Sequence, residues 1–155
     1  MKLRVLLEHP ALAFVFRLYL AGVFIYASMA KISYPAEFAN NIASYQLLPY
    51  WAVNFMAVFL PWFELVSGIL LALGVRTKAA AVAVAGMLAV FTVAIVVNLL
   101  RGTPMGCGCF SSAEDQISWV TLVRDLIWLA MALHVYRYDR ALQLERSFLL
   151  AIKEA

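Results

Sequence analysis

Polar positions in this chain are few, and they are grouped between long apolar runs. Four such runs, about Ala11–Ala30, Tyr50–Leu73, Ala79–Leu100 and Ile117–Tyr136, are each long enough to cross a bilayer, which takes about 20 helical residues. The connections are short except for the stretch from Lys31 to Pro49. There Phe38, Ile42 and Tyr45 fall at helical spacing, which predicts a short amphipathic helix lying on the outer surface. The third run is rich in small residues: Ala79, Ala80, Ala81, Ala83, Ala85, Gly86 and Ala89. Small side chains let helices approach closely in a solvent that is itself apolar. The pattern predicts an all-α integral membrane protein: one domain over residues 1–155, an antiparallel four-helix bundle with a cytoplasmic tail from about residue 137.

Composition agrees. The chain is 65% hydrophobic, where a soluble domain is about half apolar. Its net charge of +3 comes from basic residues that form no cluster on one face, so nucleic acid is not an expected partner. The lipid bilayer is. Lys2 and Arg4 precede the first run, Arg76 and Lys78 fill the turn between the second and third, and Arg137, Arg140, Arg146 and Lys153 follow the fourth. The other two connections carry Lys31 and Arg101 beside Glu37, Glu114 and Asp115. The positive-inside bias then puts both termini in the cytoplasm and the loop before the fourth run outside, in the periplasm of a bacterial inner membrane. Tyr45, Tyr50, Trp51 and Trp119 fit an outer aromatic belt, and Tyr136 and Tyr138 an inner one. Ser28-Met29-Ala30 looks like a signal-peptidase site, but the apolar stretch before it is too long for a signal peptide and carries Arg17. The first run is therefore expected to be a span.

Ionisable residues inside a bilayer are costly and need partners. Here they are Arg17, Glu64, Arg124 and Asp125. Arg17 lies fourteen residues before Lys31, and Glu64 fourteen after Tyr50. Matching depth predicts an Arg17–Glu64 pair. Glu64 also follows Pro61 by three residues; a proline within a helix frees a carbonyl, here that of Ala57. The resulting polar niche suits a quinone oxygen or a proton relay. Arg124 and Asp125 are adjacent and point about 100° apart on a helix, so one is expected to line the bundle and the other to bond a neighbouring helix.

The only two cysteines, Cys107 and Cys109, stand one residue apart in the outer loop GTPMGCGCFSS. The disulfide they would close is a small, strained ring of slight value as a staple. Strain makes such a bond exchangeable, and Gly106 and Gly108 allow the turn. Arg101, Arg124 or Lys31 would lower a nearby thiol pKa or hold a quinone carbonyl. Capture of a soft metal is a competing chemistry, and an inert reduced pair is the plain alternative. The histidines, His9 and His134, lie far from the thiols along their helices, so no metal centre is expected.

In sequence order, Arg17, Gly22, Phe24, Ala27 and Lys31, then Pro61, Glu64, Gly68 and Gly74, then Cys107–Phe110 with Arg124-Asp125, resemble the DoxX-like membrane proteins and, among them, the MauE branch. Ser111 departs from the glycine expected after the Cys-x-Cys-Phe motif. The resemblance implies a four-span inner-membrane protein tied to redox work. Its MauE-like members look like partners in maturing a disulfide-rich periplasmic enzyme beside a thioredoxin-like protein, and other relatives are linked to delivery of electrons to quinone. The expected function is thiol–disulfide exchange with a periplasmic thiol, sulfur compound or thioredoxin-like protein, coupled to membrane quinone. Cys107, Cys109, Glu64 and Asp125 would carry the chemistry, and Arg124, Lys31 and Arg17 would bind the quinone. A non-catalytic assembly factor and a soft-metal or small-molecule carrier are the alternatives.

Overall fold

The computed structural model describes residues 9–102 and 118–139. They form α1 (Pro10–Ser33), α2 (Pro35–Ser44), α3 (Tyr50–Leu73), α4 (Thr77–Arg101) and α5 (Trp119–Tyr138). All but α2 are long and apolar enough to span a membrane, within three residues of the ends the sequence predicts.

Local chemistry sets the ends. Pro10 opens α1, where its missing N–H costs nothing, and the His9 side chain accepts a hydrogen bond from the Ala11 amide. The α3–α4 connection is a tight turn. Gly74, at φ 70°, donates to the Leu71 carbonyl and Val75 to that of Leu70, the paired bonds of a Schellman motif that only a residue tolerant of positive φ closes cheaply. Gly102, at φ 63°, ends α4 with its amide donating to the Leu99 carbonyl. Ser118 caps α5 by accepting from the Thr121 amide.

The spanning helices pack as a ring in the order α1, α3, α4, α5, with the α1–α3 and α4–α5 contacts the most extensive. Leu20, Ala21, Leu71, Ala81, Val84 and Ala132 meet at its centre. Outward faces carry Val15, Phe55, Val90, Val123 and Leu133, side chains suited to lipid. Between such helices the apolar surface gains nothing by leaving lipid, so close van der Waals contact must hold them. Ala80 and Ala81 of α4 are buried in this core, while Gly86 faces open space, a Cβ there meeting nothing within 4 Å. At Gly68 α1 and α3 approach tightly: a Cβ would lie 2.9 Å from Ile25 Cγ1 and 3.3 Å from the Ala21 carbonyl oxygen.

At one end of the ring, α2 lies against α3 and touches α1. Phe38 and Tyr45 are buried and Ile42 is half-buried, as the amphipathic spacing predicts. Tyr45 therefore packs inward and is no belt residue, whereas Tyr50, Trp51 and Trp119 are exposed. The end of α4 and the start of α5 lie at this same α2 end.

Candidate functional site

The charged residues of the interior separate into two groups. The predicted Arg17–Glu64 pair does not form. Arg17 donates to Asp139 Oδ2 at 2.9 Å, and its guanidinium sits 4.9 Å from the Phe14 ring. Lys31 Nζ instead holds Glu64, at 2.7 and 2.8 Å from its two carboxylate oxygens. Side-chain direction explains the difference. A helical side chain leans toward the N-terminus of its own helix. Arg17 on α1 leans away from α2, toward the end where α5 stops at Asp139. Glu64 on the antiparallel α3 leans toward α2, and Lys31 leans down from the end of α1 to meet it. Lys31 and Tyr50 are also not level. Lys31 reaches a carboxylate fourteen residues into α3, so α3 projects beyond the end of α1.

Both pairs are buried. Lys31 and Glu64 side chains are 6% and 3% exposed, Arg17 and Asp139 2% and 1%. For Lys31–Glu64, a buried pair with good geometry, removing one member leaves the other's charge poorly compensated.

Asp125 joins the Lys31–Glu64 group. It is buried on α5 and accepts a hydrogen bond from the Thr92 hydroxyl of α4. Lys31, Glu64 and Asp125 line one small cavity of about 30 Å³, walled by Phe24, Leu88, Phe91 and Trp128. A space of this size admits a water molecule with several polar partners. Asp125 thus both lines the bundle and bonds a neighbouring helix, while Arg124 lies along its own helix, 5.0 Å from the Trp128 ring. Arg17 is not brought to this group. Pro61 is buried on the same helix as Glu64, and α3 runs through it unbroken.

A second, larger cavity of about 610 Å³ opens between α2, α3 and α4. Phe38, Tyr45, Phe59, Phe63, Phe91 and Ala94 are among its lining residues. Phe38 and Phe91 also face the Lys31 ammonium, with ring centroids at 5.1 and 5.4 Å. These rings separate the charged cavity from the apolar one. At the upper wall, Arg101 donates to the Tyr45 carbonyl at 3.2 Å, tying the last residue of α4 to the end of α2. Burial, and then the field of Asp125, push the Tyr45 hydroxyl up to about 12.

Cys107 and Cys109 lie outside the described residues. Among the described residues, no three of His, Cys, Asp and Glu come close enough together to hold a metal ion. Thr92 and Asp139 were not singled out from sequence. Thr92 carries a weak signal, a hydroxyl in an apolar run; Asp139 carries none, since it follows the last span.

The family model described as "Methylamine utilisation protein MauE" matches residues 9–137. Methylamine utilization protein MauE of Paracoccus denitrificans is 34% identical over 131 residues, 83% of this chain and 70% of its own length. That of Paracoccus versutus is 36% identical over 129 residues, 82% and 69% of the two chains. The Methylophilus methylotrophus protein of the same name is 35% identical over 134 residues, 84% and 70%. No solved structure matches. With the family match running from the start of α1 almost to the end of α5, this four-span membrane protein belongs to the MauE family.

Proposed function

We propose that this protein is a thiol–disulfide redox component of a bacterial inner membrane that serves methylamine utilisation. Its Cys107–Cys109 pair works on the periplasmic side, and membrane quinone is its electron acceptor. The observation that carries the reading is the convergence of Lys31, Glu64 and Asp125 on one buried cavity in a family member whose cysteine pair falls, in sequence, between the end of α4 and the start of α5. The basic residues around the α3–α4 turn and after α5 favour a cytoplasmic position for the opposite end.

The chemistry balances in two steps. A thiolate of a periplasmic thioredoxin-like or disulfide-containing protein attacks the Cys107–Cys109 disulfide, and its second thiol resolves the mixed disulfide. The partner leaves oxidised, and Cys107 and Cys109 are left as two thiols. Those thiols then lose two electrons and two protons to a quinone, which becomes the quinol, and the internal disulfide reforms. The small ring favours this direction, because a strained disulfide is the more oxidising partner. Glu64 and Asp125 are the groups placed to accept or balance protons near the quinone, and Lys31 and Arg124 supply positive charge for its carbonyls or for the thiolate.

Mass-tag alkylation of free thiols in membranes tests this reading. Oxidised quinone should convert the pair from tagged to untagged in the wild type, and more slowly in Glu64→Gln. Cysteines that keep one state whatever quinone is added would overturn it. Full activity of a double Cys→Ser variant would make the bundle a non-catalytic assembly factor instead.

A further inference from the structure

The redox reading names quinone without saying where it binds. We infer that the apolar cavity between α2, α3 and α4 is the quinone site, entered sideways from the bilayer, with the ring seated against Phe38 and Phe91 beside the Lys31–Glu64 pair. The inference rests on that reading for the ligand class and on the structure for the place.

Four observations converge. The cavity, at about 610 Å³, falls in the range of small-molecule sites, about 300–1,000 Å³. Its lining is aromatic and aliphatic, and on α3 the exposed rings of Phe55, Phe59 and Phe63 stack in a column at centroid spacings of 5.4 and 5.6 Å. Such a wall accepts an isoprenoid tail or a flat ring, but it would accept a lipid chain equally well.

The charged pair behind it breaks the tie. Lys31 carries three N–H donors, and contacts to the two Glu64 oxygens leave at least one donor facing the Phe38 and Phe91 rings. The ammonium is buried, so an N–H turned only toward ring faces is weakly satisfied. A movement of Phe91 would bring it to a neutral acceptor in the cavity. A quinone carbonyl accepts from that N–H, and a quinol hydroxyl donates to Glu64, so the pair serves both oxidation states. A saturated acyl chain offers neither group. Position agrees as well: Tyr45 forms part of the wall and also holds Arg101, two residues before the segment that contains Cys107 and Cys109 begins.

Photolabelling of the full-length protein in lipid nanodiscs with an azido short-chain ubiquinone is the test, with a diazirine phospholipid as the control probe. The ubiquinone probe should label α3 and α4 residues of the cavity, and decylubiquinone should compete it away. Ala94→Trp and Ala89→Trp, which fill the cavity from α4, should remove the label. Val123→Trp, on an exposed face of α5, should not. Lys31→Gln should weaken competition by about tenfold, the value of one hydrogen bond to a charged donor. Helical circular dichroism of each variant identifies any that fail to fold, and the two fillings back each other.

Label spread over all lipid-facing helices would overturn the inference. So would cavity label given equally by the phospholipid and not displaced by decylubiquinone. Labelling needs no thiol chemistry. If label lies elsewhere while the cysteines still answer to quinone, only the site is wrong. If the cavity binds the probe and the cysteines never respond, only the thiol reading fails.

Discussion

Replacing Lys31 by methionine keeps most of the side-chain volume and removes the charge that compensates Glu64. Both partners are almost wholly buried. Breaking such a pair by one substitution costs about 3–5 kcal/mol in soluble proteins. In a bilayer the dissociated helices still find polar partners, which reduces such differences, so Lys31→Met should cost about 3 kcal/mol. Glu64→Met should cost a similar amount. The double variant places two apolar side chains together beside Phe24, Leu88, Phe91 and Trp128, with Asp125 still bonded to Thr92, and should lie within about 1 kcal/mol of wild type. The coupling measured by the cycle should therefore be about 5 kcal/mol, and in any case well above the additive range of about 0.5 kcal/mol. Reversible unfolding in mixed micelles, followed by helical circular dichroism, gives the four stabilities. A parallel cycle of Arg17→Met with Glu64→Met should be additive within about 0.5 kcal/mol, because Arg17 bonds Asp139 instead. Additivity of the Lys31 cycle, or strong coupling in the Arg17 cycle, would refute the assigned pairing.

Three further outcomes follow from the packing and the ion pairs. Asp139→Asn should destabilise the protein by about 1–3 kcal/mol in the same unfolding assay, since it weakens the buried charge-assisted hydrogen bond to the Arg17 guanidinium; a change below about 0.5 kcal/mol would contradict it. Gly68→Leu should force α1 and α3 apart, because the Cβ alone already meets Ile25 and the backbone of Ala21; a loss of about 1–3 kcal/mol is expected, with Gly86→Leu as the near-neutral control. Tyr45 should lower stability at alkaline pH. Its hydroxyl ionises at about 12 when folded against 10.0 when exposed, so the folded state keeps a proton that the unfolded state has lost. The contribution is complete below pH 10 and disappears as pH rises through about 12. Phenolate absorbance should show a step near 12 that Tyr45→Phe abolishes, and a missing step centred near 10 would refute it.

The spans, their ends and the amphipathic α2 were legible because each is a local property. A run of apolar residues, a glycine at a helix end and a three-to-four-residue spacing all act within one segment. Which charge meets which was not legible, because that depends on where one helix lies along another. Counting residues from Lys31 and Tyr50 gave equal depths for Arg17 and Glu64, yet antiparallel helices point those side chains in opposite directions. Asp139 shows the same limit from the other side. It sits past the last apolar run, where an acidic residue reads as solvated, and only the packing of α5 against α1 brings it to Arg17. The small residues of α4 are partly legible too: Ala80 and Ala81 are buried in the core and α4 packs extensively on α5, whereas the tight approach at Gly68 of α3 depends on which helix lies beside it.

The two ion pairs divide the work of the interior. Arg17–Asp139 joins the first span to the end of the last, at the end away from α2. Arg17 also lies against Phe14, and the pair fixes those two helices to each other. Lys31–Glu64 is different in kind. It also joins two helices, but it borders a space, faces a second carboxylate, and is screened from a bilayer-facing cavity by two aromatic rings. If it served only to hold α1 to α3, the close contact at Gly68 would already do so along the same interface. A lysine and two carboxylates gathered beside that cavity are costly to keep in an apolar medium, and the cost is explained when the charges meet a polar ligand arriving from the membrane.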